Sequence, residues 1–202
     1  MEIKNLVRNL EVRGFKVLFA ENAEDAKNLI LNLIPTGESS AFGGSATTTK
    51  LGLATALKNR GDVVYHRSFF EDSERNKVLL DGMHADWYIS STNALTEGGE
   101  FINTDGIGNR IASQLFGGKN TLFVVGINKI VKDLDEGFLR LRNIAAKENC
   151  IRLGYLDNPC VVGGSCDDCK TENTICNATT IIHHPTRTKN FFVVLINENL
   201  GY

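Results

Sequence analysis

The chain lacks any apolar run long enough to cross a membrane: stretches such as Leu122–Val125 fall far short of the roughly 18 residues a spanning helix needs. Nor is a secretory leader expected, because Met1–Leu10 carries charges where its apolar segment would lie, so the protein is expected to be cytoplasmic. Positive charge is not in excess. Lys plus Arg number 22 against 24 Asp plus Glu, a formal net charge of −2 with both signs scattered, so no basic field awaits nucleic acid. Proline is scarce, three residues in 202, and no internal repeat, low-complexity stretch or linker interrupts the chain. One domain spanning residues 1–202 is therefore expected, since this length supports one well-formed core and not two.

What is present in excess is glycine, 19 residues concentrated near 43–44, 98–108, 117–118 and 163–164, a distribution that suits tight turns and ligand loops. Five cysteines form an odd set, and four of them fall between Cys160 and Cys176. With no leader to deliver the chain to an oxidising compartment, they pose the question of a metal, a cluster or thiol chemistry rather than of disulfides.

Short apolar runs alternate with stretches of helical periodicity. Lys16–Ala20 reads as a strand, and Asn22 caps a helix carrying Ala23, Ala26, Leu29, Ile30 and Leu33. Ala41-Phe42 ends at Gly43-Gly44, where Ser45 can cap a helix through Leu51, Ala54 and Leu57 to Gly61. Val63–Tyr65, Trp87–Ser90 and Thr121–Val125 are further strands, separated by helices opening at Asp72 and near Asp105. Leu134, Phe138, Leu141 and Ala145 form another stripe, and Thr180–Ile182 and Phe191–Leu195 complete the set. Such alternation predicts a three-layer α/β fold, a mostly parallel sheet with helices on both faces. The last two strands, separated only by a short connector, are expected to pair antiparallel at one edge. In such sheets ligands bind beyond the carboxyl ends of the strands, so residues 43–50, 91–97 and 126–129 should converge on one pocket.

Three polar segments carry candidate chemistry. Gly43, Gly44 and Ser45 stand at a strand-to-helix junction whose free N–H groups suit an anion, though a capped helix with a tight turn reads equally well. The spacing is not that of a phosphate-binding P-loop. Gly106-Ile107-Gly108-Asn109-Arg110-Ile111 opens like a dinucleotide fingerprint but has Ile111 at the third glycine position and no acidic residue at the required distance, so no nucleotide cofactor is expected. Arg110 instead offers a planar fork for a carboxylate or phosphate, or else a surface ion pair, and Asn109 an amide. Gly126-Ile127-Asn128-Lys129 follows a strand directly, which puts Asn128 and Lys129 at the sheet edge. Lys129 is the best single charge for stabilising a bound anion, its alternative being a solvated loop lysine. Thr92 and Asn93, after the strand ending at Ser90, join this set of candidate ligand-binding residues.

Cys160-x5-Cys166-x2-Cys169-x6-Cys176 contains one C-x2-C pair, the spacing that lets two thiolates reach one ion, with two more thiols nearby. Zinc, an iron–sulfur cluster, reversible thiol chemistry and plain burial all remain open readings. Cys150, on a helical stretch, reads as core. His66 and His84 stand alone and read as structural or exposed, and of His183 and His184 only one can point to a given site.

The stretches STNALTEGGEFIN, DGIGNR and VVGINKIV, with the GGSCDDC and ICN segments and the closing VVLINENLGY, resemble the lactate-utilisation family, whose shared unit is called the LUD domain. The resemblance covers most of the chain. It implies a fold like that of NagB, ribose-5-phosphate isomerase and CoA-transferase domains, and a role in oxidising lactate to pyruvate beside iron–sulfur partner subunits. The chain has no ferredoxin-type C-x2-C-x2-C-x3-C-P run, so it is similar to the short lactate-utilisation type. The leading expectation is a small anionic metabolite held by Gly44, Ser45 and Arg110, with Lys129 facing the charge that develops on its oxygen. The alternatives are a non-catalytic electron-transfer or assembly module built on the cysteines, and an isomerase or transferase of the same fold.

Overall fold

The computed structural model describes residues 2–202. Its main sheet has six strands, all parallel, in the spatial order β1 (Lys16–Ala20), β10 (Asn190–Ile196), β7 (Asn120–Gly126), β4 (Trp87–Ser90), β2 (Ser40–Phe42) and β3 (Val64–Tyr65). β10 and β7, neighbours inside the sheet, are apolar at successive positions because both of their faces are covered. Leu122, Val124, Val194 and Ile196 pack on one face, under α2 (Ala23–Leu33) and α4 (Leu53–Asn59). Phe123, Val125, Val193 and Leu195 pack on the other, against α1 (Ile3–Val12) and a second sheet.

Local chemistry sets the helix boundaries as expected. Asn22 accepts from the N–H groups of Glu24 and Asp25, both at 3.0 Å, and Ser45 accepts from Thr48 at 3.3 Å. The helix expected from Ser45 to Gly61 is divided: α3 (Ala46–Lys50) ends before Gly52, whose φ of +64° breaks the ladder, and α4 starts anew.

The second sheet was not foreseen. It orders β8 (Ile130–Val131), β5 (Ala94–Thr96), β6 (Phe101–Asp105) and β9 (Ala178–Ile182), with β6 antiparallel to both β5 and β9. The expected pairing of the last two strands is therefore corrected. β9 is an antiparallel edge strand near the C-terminus, but of this second sheet, where Phe101 faces Ile182 and Asp105 faces Ala178. β10 instead inserts in parallel between β1 and β7. The physical reason lies in its side chains: Phe191, Val193 and Leu195 alternate with Phe192, Val194 and Ile196, so both faces need cover, which only a central position supplies.

On the outer side of this sheet lies a continuous helical rod. It comprises α7 (Leu134–Arg140), a π-helical turn at Leu141–Ala146 and α8 (Lys147–Leu153). Leu134, Phe138 and Leu141 pack on Ala94 and Ile102. The wider π turn rotates the following residues relative to a regular helix, and such turns concentrate at functional sites. The remaining helices are α5 (Arg75–Gly82), α6 (Asn109–Leu115) and α9 (Pro159–Val162).

Candidate functional site

β2, β4 and β7 are neighbours in the main sheet, and the segments leaving their carboxyl ends meet at a cavity of about 510 Å³. Of the residues singled out in the sequence, Gly43, Gly44, Ser45, Thr92, Asn93, Asn109, Arg110 and Lys129 line it. Gly108, Gly126 and Asn128 do not. Gly108, with φ of +82°, makes the left-handed step that starts α6. At Gly126 a Cβ would stand 2.7 Å from the Glu198 carbonyl oxygen, so the glycine admits the C-terminal segment. Asn128 fastens that segment, its Oδ1 accepting from the Leu200 N–H and its Nδ2 donating to the Gly201 carbonyl, both at 3.1 Å. Asn128→Ala is expected to cost about 1–2 kcal/mol and to speed amide exchange at Leu200–Tyr202. Exchange mass spectrometry checks this, and unchanged protection there would contradict the anchoring role.

Lys129 is only 3% exposed, and its Nζ donates to Ser91 Oγ at 3.0 Å. Burial, joined by the like charges of Arg140 and Arg110, pushes its amine down to about 7. Arg140, 7% exposed, donates from Nε to the Asn128 carbonyl at 3.0 Å and from Nη1 to the Asn93 carbonyl, and burial pushes its guanidinium down to about 10. Arg110 is half-buried. It donates from Nη1 to Asn103 Oδ1 at 2.9 Å, and from Nη2 to Asn93 Oδ1 at 3.2 Å and to the Thr104 carbonyl.

All three cations are thus held by neutral oxygens. The ion pairs among the described residues are Arg13–Glu100, Lys50–Glu198, Arg60–Asp62 and Lys119–Asp86, and none involves these three. Asp105, which lines the same cavity, turns its Oδ2 to the N–H groups of Arg110 and Ile111 at 2.8 and 3.3 Å, closing the start of α6. A buried cation without a counter-ion carries a desolvation penalty that an incoming anion relieves. Neutral donors add to the lining: the N–H groups of Gly44, Ser45 and Ala46 meet no protein acceptor among the described residues, and the buried Tyr88 hydroxyl has no hydrogen-bond partner there. Gly43 is the glycine whose size matters here. A Cβ on it would stand 2.9 Å from the Tyr88 hydroxyl oxygen and 3.1 Å from Arg110 Cγ.

Thr92 is placed at the cavity, but its single hydroxyl proton is shared between the Ala94 and Ile102 carbonyls, at 2.8 and 3.0 Å, which shapes the entry into β5. Sequence reasoning missed Arg140, Tyr88, Ser91 and His66. The signal for Arg140 was an arginine on the inward stripe of a helix, between Gly137 and Leu141, both also buried. His66 lines the cavity, its imidazole held below the ordinary value by burial first and by Arg67 second.

The cysteines gather elsewhere. Cys150, Cys160, Cys166, Cys169 and Cys176 are all free and line a second cavity of about 110 Å³. Burial pushes the thiols of Cys160 and Cys176 up to about 11, with neighbouring cysteines adding to the shift.

Fold and site together define an α/β protein that presents its cavity beyond the carboxyl ends of parallel strands, the usual place for a ligand in such sheets. The family model described as the LUD domain matches residues 3–196, and the chain belongs to that family. Its fold is similar to that of a solved DUF162 family protein from Deinococcus radiodurans, at 14% identity and a TM-score of 0.54, over 98% of this chain and 99% of the other. No curated protein is similar enough to count as a match. No helix of the described residues is long and apolar enough to cross a membrane.

Proposed function

We propose that the large cavity binds a small anionic metabolite, and that the protein serves lactate utilisation as a subunit working with iron–sulfur partners that carry electrons away as lactate is oxidised to pyruvate. The observation that carries the reading is that Lys129 and Arg110 line the cavity, with Arg140 close behind Lys129, and that none of the three is paired with a carboxylate. Membership of the LUD-domain family supports the metabolic setting. In this reading Gly44, Ser45 and Arg110 hold the carboxylate of a 2-hydroxy acid. Lys129 faces the hydroxyl oxygen, where its ammonium form stabilises developing negative charge in a site shielded from water.

A second reading has an observation of its own. A three-carbon acid fills only part of about 510 Å³, and Arg67, Arg75 and Arg152 also line the cavity, which suits a larger phosphorylated molecule and isomerase or transferase chemistry.

Calorimetry with lactate, pyruvate and inorganic phosphate tests both. Arg110→Ala is expected to weaken the preferred anion at least about tenfold, while circular dichroism stays that of the parent protein. Equal affinity in the variant would refute the anion site. Turnover of a sugar phosphate or an acyl thioester by the isolated chain would favour the second reading.

A further inference from the structure

The thiol cavity is built from the end of the helical rod and the segment that follows it. Cys160 on α9, the Cys166/Cys169 pair in the loop after it and Cys176 before β9 come from one segment, whereas Cys150 comes from α8 and is buried beside them. Every cysteine of the chain therefore faces one cavity, and none is paired in a disulfide. No histidine lines that cavity, and beside Asp167 and Asp168 its donors are five sulfurs, so a soft ion suits it best.

Three further observations show how the thiol segment is tied to the rest of the fold. Asp168, inside the C-x2-C turn, has φ of +60°, and among the described residues it is the one non-glycine in the left-handed region. Such a conformation costs about 1 kcal/mol or more and persists where the surroundings impose it. Asn158, 2% exposed, donates from Nδ2 to Cys150 Sγ at 3.3 Å and to the Asn173 carbonyl at 3.1 Å, while its Oδ1 accepts from Thr171 at 2.8 Å. One buried amide thus fixes both a sulfur and the loop opposite it, the kind of support that orients metal ligands. Asn143, in the π turn, accepts from the Cys166 N–H at 3.0 Å, which ties the C-x2-C turn to the helical rod.

We infer that this cavity is a thiolate site for a soft metal centre, zinc or an iron–sulfur cluster, in which Cys166 and Cys169 supply the chelating pair and Cys150, Cys160 and Cys176 the sulfurs that complete it. Among the described residues no three potential ligands already surround a common point at coordinating distance. The wall that must draw in is residues 163–177, which contain no helix or strand. Ala146, Thr174 and Ile175 line both cavities, so a metal here lies one layer of residues from the anion site.

Metal and labile-sulfide analysis of protein purified without oxygen, with a visible spectrum, tests the inference. Metal-free protein is titrated in parallel with Co(II), whose thiolate bands report sulfur ligation. About one equivalent of zinc, or iron with matching sulfide, is expected, and the two results distinguish the sources. Cys166→Ser/Cys169→Ser should lose the metal. Should that variant fail to fold, iodoacetamide labelling of the parent protein decides, because bound metal is expected to slow alkylation of the thiols at least about tenfold. Protein that holds no metal as purified, shows no Co(II)–thiolate bands and cannot be reconstituted with iron and sulfide would overturn the proposal. None of these readouts depends on the anion cavity.

Discussion

Lys129→Met is expected to raise the melting temperature and to weaken anion binding at pH 6 at least about tenfold, leaving the residual affinity that Arg110 supplies. The side chain is buried, its single hydrogen bond goes to Ser91, and no carboxylate pairs with it. Because the amine is held near 7, the folded protein releases this proton at lower pH than the unfolded chain, whose lysine titrates near 10.5. Between these values the unfolded chain binds the extra proton, so stability from this group rises with pH through that window, and below about pH 7 the penalty is complete. Methionine fills similar volume without the charge, and the net gain at pH 6 is of the order of 2 kcal/mol after the lost Ser91 contact. Melts at pH 6 and at pH 9.5 check the sign: the advantage of the variant should shrink as pH rises. A variant less stable at pH 6 would mean that the amine is already well compensated. The same titration governs binding. Anion affinity of the parent protein should be greatest below about pH 7 and fall about tenfold per unit above it, as the ammonium is lost. Calorimetry should show that slope in the parent and none in Lys129→Met.

Such a residue, destabilising in isolation and, in the proposed function, useful to a ligand, is where folding and function part company. It was legible in the sequence for a simple reason: a charge directly follows a strand whose apolar run demands burial on both faces, so the chain has no freedom to carry it far from the sheet. The same reasoning brings Gly43–Ser45 and Asn93 to the cavity, since β2, β4 and β7 are consecutive neighbours and their ends must meet. It misplaced Gly126 and Asn128, because adjacency to Lys129 in sequence does not say which side chain turns towards the cavity and which towards Leu200. Arg140 was within reach, since it continues the buried stripe of α7 with Gly137, whereas the facing of Cys150 was not: Cys150 follows the π turn, which alters the helical phase that side-chain spacing alone would imply. The second sheet was hidden in short strands. Ala94–Thr96 and Ile130–Val131 are too brief for a period-two signal, and the connector after Ile182 is long enough to carry the chain from one sheet to the other.

Asn93→Asp is expected to have the opposite character to a deletion, keeping every hydrogen bond of the site and removing its function. Asn93 Oδ1 accepts from the Thr104 N–H at 2.8 Å and from Arg110 Nη2 at 3.2 Å, and its backbone carbonyl accepts from Arg140. An aspartate oxygen can keep both of the side-chain bonds, and its charge gives the site a counter-ion of its own. The fold should gain: charge-assisted bonds to Arg110 are stronger than neutral ones, and the repulsion among Arg110, Arg140 and Lys129 is offset. The Lys129 amine should move back up from about 7 as a negative charge joins its surroundings. An external anion now meets a neutralised cavity, so its affinity should drop by about 10- to 100-fold, equivalent to about 1.4–2.8 kcal/mol. Asn93→Ala separates the causes, because it loses the Thr104 and Arg110 bonds without adding charge and should cost stability and affinity together. Calorimetry and thermal melts on the pair decide the matter. An aspartate variant that melts higher but binds weakly is the signature of an electrostatic site, whereas one that binds the anion as tightly as the parent would show that Arg110, Arg140 and Lys129 serve the fold and not a ligand.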